Sequence, residues 1–271
     1  LDWPRPQETT QHGWNASYRF HQPDLEVLLR QAVQSHPNIT VKTEMELLHL
    51  GQKSDHVSLQ CLAGDSGLTS HMTASYVVGC DGARSSVRQA MGVSMENLGF
   101  QQSWLVVDVL LYREMPELGD HSVQFCDAER PMTYCRSPKN RRRWEITMQA
   151  GESSGEMTDP DRVWQFLSRW ITPDDAQIER SVVYTFESAL AETWRKDRLL
   201  LAGDAAHLTP PFMGQGMCSG IRDAANLAWK LALKLKGRSA SGLLDSYGQE
   251  RSPHMRAYIE TAIKLGYLIN S

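Results

Sequence analysis

The 271 residues read as a mixed protein, α/β in one part and α+β in another, and three stretches carry that reading. Residues 198–230 give a hydrophobic strand (Leu199, Leu200, Leu201, Ala202) that runs into Gly203-Asp204, a turn rich in Pro and Gly, and a long amphipathic helix from about Gly216. Residues 76–88 repeat that layout: the apolar run Tyr76-Val77-Val78 ends in Gly79-Cys80-Asp81-Gly82 and leads into another helix. Between them, from Gly99 on, long alternating runs separated by turns predict an antiparallel sheet.

Element by element, His21-Gln22-Pro23-Asp24-Leu25-Glu26 opens a helix. Proline suits the first turn, the acids complement the helix dipole, and Leu25, Leu28, Leu29 and Val33 form an apolar stripe. Three strands follow at 39–50, 57–62 and 69–78, separated by Gly51 and by the turn at 63–67, and together they predict a β-meander. Ser85 or Ser86 is placed to cap the next helix. The antiparallel region has strands at 104–112, 122–126, 131–136 and 143–149, with turns at 117–120, 127–130 and 137–140. A helix at 160–170 and a strand at 179–187 lead back to the strand at 199. The run Arg141-Arg142-Arg143 reads as a solvated hairpin rim rather than a nucleic-acid or carboxylate-binding patch, because no aromatics are interleaved with it.

Composition narrows the function classes. Against 32 acidic residues stand 28 basic ones, a net charge of −4, which argues against a nucleic-acid or acidic-membrane binder. No apolar run approaches the roughly 18 residues of a membrane span, and no signal peptide is evident. The 5 cysteines form no CxxC pair, which predicts reduced thiols and a cytoplasmic location. The 9 histidines show no HxxxH spacing, so no structural metal is expected.

The stretch after Leu201 also suggests a ligand. A strand ending in Gly-Asp exposes a carboxylate able to accept hydrogen bonds from a ribose or another polyol. A helix start flanked by Gly214 and Gly216 offers unshielded N–H donors and the positive end of a dipole. That combination suits a flavin, whose ribityl chain carries hydroxyls and whose reduced ring carries negative charge. The pattern GDAAHxxPPxxGQGxxxGxxDAxNLAWKL resembles the flavin-contacting GD segment of the class A FAD-dependent aromatic hydroxylases, the p-hydroxybenzoate hydroxylase fold. The likeness is greatest to the 3-(3-hydroxyphenyl)propionate hydroxylase branch. Residues 76–88 resemble the DG motif of the same family, about 120 residues before the GD segment as that family requires.

The resemblance implies a p-hydroxybenzoate hydroxylase-like fold in which 1–98 is a partial FAD-binding region, 99–190 a substrate domain built on the antiparallel sheet, and 191–271 an FAD-binding region with C-terminal helices. Members of the family begin with a βαβ unit carrying GxGxxG. None occurs here, so the chain reads as lacking roughly the first hundred residues of such an enzyme. The implied activity is FAD-dependent, NADH- or NADPH-consuming hydroxylation of a small phenolic substrate by O2 through a flavin C4a-hydroperoxide, with homodimerisation as a family trait.

In that scheme Asp204, beside Gly203, holds the ribityl hydroxyls. Amides at Gly216 and Met217, after Gly214, face the N1–C2=O edge of the ring, and Pro210 and Pro211 wall it. Asp81 and Gly82 serve the pyrophosphate, and Gln22 the phosphate and ribityl region. His207 reads as a pin for the turn, through a hydrogen bond to backbone, in preference to an acid–base group. The catalytic base is unassigned among Tyr134, His121 and Tyr112. A polyketide hydroxylase of the tetracycline type and a cofactor-free, non-catalytic remnant are the alternatives. A halogenase is disfavoured because no WxWxIP signature occurs.

Overall fold

The computed structural model describes residues 2–3 (backbone course), 9–64 and 66–270. In chain order the elements are β1 (Asp2–Trp3), α1 (Gln22–Gln34), β2 (Met45–Gln52), β3 (Val57–Ala63), β4 (Thr69–Ala74), β5 (Val77–Gly79), α2 (Ser86–Met91) and β6 (Met95–Leu111). There follow β7 (Ser122–Phe125), β8 (Met132–Arg136), β9 (Arg141–Thr147), α3 (Ser154–Thr158), α4 (Pro160–Leu167) and β10 (Ala176–Ala191). Last come β11 (Arg195–Lys196), β12 (Leu199–Leu201), β13 (His207–Leu208), α5 (Gly216–Leu235) and α6 (Asp245–Ile269). Two compact units divide the chain. One comprises 1–41, 102–185 and 267–271, the other 42–101 and 186–266. No helix among the described residues is long and apolar enough to cross a membrane.

The first unit is built on an antiparallel sheet ordered β1-β7-β8-β9-β6-β10. Its apolar face follows from the alternation of β6, where Leu105, Val107, Val109 and Leu111 all point one way and are buried. Tyr134 of β8 and Trp144 of β9 are cross-strand partners on that face, with ring centroids 5.1 Å apart. Val163 and Leu167 of α4, with Met157 of α3, close over them. Both helices start cleanly. Ser153 and Glu156 form a capping box, and the Asp159 carboxylate accepts from the amides of Asp161 and Arg162 just before Pro160 begins α4.

The second unit holds the meander β2-β3-β4, a small sheet ordered β11-β12-β5, and α2, α5 and α6. Strand β12 runs parallel to β5, and Leu199, Leu200 and Leu201 are each fully buried. Three consecutive buried leucines mark a strand covered on both faces, as in parallel sheets. Met255 and Ile259 of α6 and Val87 of α2 lie in the same core, and Tyr247 donates its hydroxyl to Leu201 O at 2.8 Å. Gly79 is required where β5 meets α2: a Cβ there would lie 2.7 Å from Val87 Cβ.

Several expectations need correction. Strand 39–50 starts only at Met45: Glu44 adopts φ 55°, and Ile39 and Val41 are exposed, 45% and 56%, with no partner strand. Strand 69–78 is two strands in different sheets, β4 and β5. Strand 104–112 is the end of the 17-residue β6, which continues through Gly99. The stripe on α1 is not covered, since no residue of that helix is buried and Leu28 is 63% exposed. Asp65 of the turn at 63–67 lies outside the described residues. The arginine run is not a solvated rim. It forms the start of β9, where Arg141 pairs with Glu179, Arg142 is buried and Arg143 pairs with Asp108.

Candidate functional site

Strands β5 and β12 are parallel and in register, Gly79 opposite Leu201, so the segments that follow them leave from the same end. In open parallel sheets that carboxyl end is where ligands bind. After β5 come Asp81 and Gly82; after β12 come Gly203 and Asp204. The Ala202 amide donates to Gly79 O at 2.9 Å, and the Arg88 guanidinium donates to Ala83 O at 2.6 Å and to Ala205 O at 2.9 Å. One side chain of α2 thus binds both segments. The Asp81 carboxylate accepts from the Val87 amide at 3.1 Å while Ser85 Oγ accepts from Arg88, so both serve the start of α2.

Beyond β12, Gly203 adopts φ 60° and donates its amide to Asp223 Oδ2 at 3.0 Å. It lies against Gly220 of α5 so closely that a Cβ on Gly220 would be 3.5 Å from Gly203 Cα. Asp223, fully buried, is also bound by His207 Nε2 at 2.6 Å and by Arg251 Nε at 2.8 Å. Burial alone would raise its carboxyl, but the hydrogen bonds from His207, Arg251 and Gly203 outweigh that and hold it below the usual range. His207 therefore does pin the turn, though through a carboxylate of α5 rather than the backbone.

Asp204, held next to this anchor, is exposed, and its carboxylate accepts from no protein donor among the described residues. Pro210 is buried and Pro211 half-buried in the turn that follows. Gly214 closes that turn in the left-handed region at φ 59°. Helix α5 then starts without a side-chain cap, because Gln215 Oε1 accepts from Arg222 Nη1 at 3.2 Å instead. Among the described residues the amides of Gly216, Met217 and Cys218 meet no protein acceptor, so a 20-residue helix points open donors outward. An unengaged carboxylate in a turn packed on α5, together with the open amides that start that helix, fits a group with hydroxyls at one end and an electron-rich ring edge at the other.

Eight of the nine residues singled out for cofactor contact share this unit: Asp81, Gly82, Gly203, Asp204, Pro211, Gly214, Gly216 and Met217. Gln22 belongs to the other unit, in the first turn of α1, where its Nε2 donates to Glu26 Oε1 at 3.2 Å. Sequence reasoning left Arg88, Asp223 and Arg251 without roles. The first two stand inside the quoted motifs, which was the available signal; Arg251 had none. Of the three base candidates, Tyr134 is buried beneath the helices of the first unit, Tyr112 is 61% exposed beyond the end of β6, and His121 is half-buried just before β7.

Paired strand ends, a glycine-tight strand–helix crossing and an open helix start form a ligand site of the kind found at the carboxyl end of a parallel sheet. Comparison with known proteins identifies the branch: the family model described as FAD binding domain matches residues 4–262, and the chain belongs to that family. A probable NADH-specific resorcinol 4-hydroxylase of Rhodococcus jostii (strain RHA1) is 40% identical over 254 residues, covering 94% of this chain and 48% of that protein. A 3-(3-hydroxy-phenyl)propionate/3-hydroxycinnamic acid hydroxylase of Klebsiella pneumoniae (strain 342) is 36% identical over 262 residues, 96% of this chain and 47% of the relative. The chain spans about half the length of the curated relatives it matches.

Among solved structures, the flavin-dependent monooxygenase PieE in complex with FAD and substrate matches with TM-score 0.84 at 23% identity, over 93% of this chain and 45% of that one. Aklavinone-11 hydroxylase in a ternary complex with FAD and aklavinone matches with TM-score 0.81 at 26% identity, over 89% and 46%. The fold is that of the p-hydroxybenzoate hydroxylase-like flavin monooxygenases.

Proposed function

We propose that this chain forms the flavin-holding and substrate-facing parts of an FAD-dependent aromatic monooxygenase that consumes NADH and hydroxylates a small phenol. The observation that carries the reading is the unengaged Asp204 carboxylate in a turn packed on α5, a helix whose first amides are open, on a scaffold fixed by Asp223 and Arg88. FAD, when bound, supplies the redox chemistry, accepting hydride from NADH and activating O2. The protein's share is placement. Asp204 accepts hydrogen bonds from ribityl hydroxyls. The amides of Gly216 and Met217 are donors already in place where the reduced ring carries charge, so little reorganisation is needed when that charge appears. Pro211, backed by the buried Pro210, presents a donor-poor wall that keeps water from the ring.

A single-ring phenol is favoured because the relatives named for resorcinol and for 3-(3-hydroxy-phenyl)propionate are 36–40% identical, whereas the aklavinone-11 hydroxylase aligned in space is 26% identical. The test is flavin titration of the purified chain followed by fluorescence quenching. Asp204→Ala should weaken FAD binding by the loss of hydrogen bonds to a charged group, about 1.5–3 kcal/mol, roughly ten- to hundredfold in Kd. Equal Kd values for the two proteins, or no quenching by the wild type, would refute the assignment.

A further inference from the structure

The sheet of the first unit has a second face, and a cluster of charged residues stands on it beside Val106. Opposite the helix-covered core stand Asp108 of β6, Arg143 and Glu145 of β9, and Cys135 of β8, with Arg180 of β10 reaching the same carboxylate; Asp108 is cross-strand partner of Arg143, which is partner of Cys135. Asp108 is heavily engaged. It accepts from Arg143 Nε at 2.7 Å and from Arg180 Nε at 2.8 Å, so two guanidiniums share one carboxylate. Glu145 is different. Its side chain is only 19% exposed, its nearest cation is Arg143 Nη1 at 3.9 Å, and among the described residues it accepts no hydrogen bond. Its oxygens reach the surface without a protein donor, so they are free to accept from the hydroxyl of a ligand.

We propose that Glu145 takes the proton of a phenolic hydroxyl docked on this face and that Arg143 then holds the resulting phenolate oxygen. The inference rests on the reading that the substrate is a phenol. The phenol O–H bond breaks, an O–H bond forms on a Glu145 carboxyl oxygen, and the electron pair stays on the phenolate; the proton leaves later to solvent. Charge favours the transfer. With Glu145 ionised, the two arginines and two carboxylates of the cluster sum to zero, and with Glu145 protonated they sum to +1, so the cluster becomes cationic as the ligand becomes anionic. Burial pushes the Glu145 carboxyl above the ordinary range, opposed by Arg143 and Arg180 and reinforced by Asp108, which makes it a better base near neutral pH. The fourth neighbour, Cys135, adds no charge, because burial pushes its thiol up to about 12.

The test uses 4-nitrophenol, a phenol whose ionised form is yellow, titrated against the 271-residue chain at a pH below the ionisation of the free compound. The wild type should show the phenolate spectrum on binding. Glu145→Gln, a neutral isostere, should bind the compound with the spectrum of the neutral phenol, a loss of at least about tenfold in the ionised fraction. Glu145→Asp should recover part of it. Circular dichroism establishes that each variant is folded. An unchanged phenolate spectrum in Glu145→Gln, or no spectral change in the wild type, overturns the inference. FAD titration of the same samples separates the two ideas. FAD binding without phenolate formation removes Glu145 and leaves the monooxygenase reading intact, whereas phenolate formation without FAD binding does the reverse.

Discussion

Asp223 accepts three hydrogen bonds in a site with no access to water, from Gly203 N, His207 Nε2 and Arg251 Nε. Removing one member of such a set strands the others. Asp223→Ala should cost about 3–5 kcal/mol, because Arg251 keeps a buried charge and the Gly203 amide loses its acceptor. Urea denaturation checks this through a lower midpoint at unchanged slope; a loss below about 1 kcal/mol would mean that water or a neighbour replaces the carboxylate. Position 223 was visible as part of a motif, but its use was not. Its partners lie 16, 20 and 28 residues away, and the helical and strand periods that make a sequence readable carry no information about a side chain turned inward to meet a loop. Arg88 escaped for the same reason: the Ala205 carbonyl it binds is 117 residues away.

At the scale of elements, the junction of β9 with α3 depends on one acid. Glu152 accepts from Arg130 Nη1 at 3.0 Å and Nη2 at 2.7 Å, and from the Gln149 amide at 2.8 Å. Hydrogen bonding to Arg130 lowers its carboxyl from 4.5 to about 2. A depressed acid stabilises the fold above its unfolded pKa and loses that contribution as pH falls through the folded one. Stability should therefore decline between about pH 5 and about pH 2, with Glu152 contributing on the order of 1–2 kcal/mol after solvent screening. Glu152→Gln should flatten that part of the acid limb in urea midpoints recorded across the window. A limb of unchanged steepness would show that other carboxylates govern it.

Strand legibility at this scale depended on partners. The alternation at 122–126 and 131–136 found neighbours and became β7 and β8, while the β-branched Ile39 and Val41 found none. Gly99 looked like a boundary, yet at φ 91° it lies inside an unbroken β6, its amide held by Asn97 Oδ1 at 2.8 Å. A glycine that ends a strand and one that a strand runs through have the same letter.

For the molecule as a whole, the two motifs were legible because each is one contiguous stretch that does its own local work: a strand, a glycine at the turn, a helix start. The charged face around Asp108 was not legible, because it is assembled from β6, β9 and β10, whose register no periodicity fixes. The interleaving of the units had the same cause, since residues 9–41 group with strands that resume only at residue 102. That division makes a prediction about ligand response. The proposed flavin contacts after β5, after β12 and at the start of α5 belong to the second unit, so FAD should stabilise that unit selectively. At a ligand concentration of about 100 times Kd, mass action adds about 2.7 kcal/mol against openings that break the site. Hydrogen exchange read by mass spectrometry should show new protection in 79–88 and 203–219, and little in 104–111 or 141–147, whose amides are already held by the sheet. Protection extending to 22–26 would assign Gln22 a part in binding, and its absence there would leave Gln22 as the first residue of α1 and nothing more. Uniform protection across both units, or none after β12, would contradict the placement of the cofactor at Asp204 and α5.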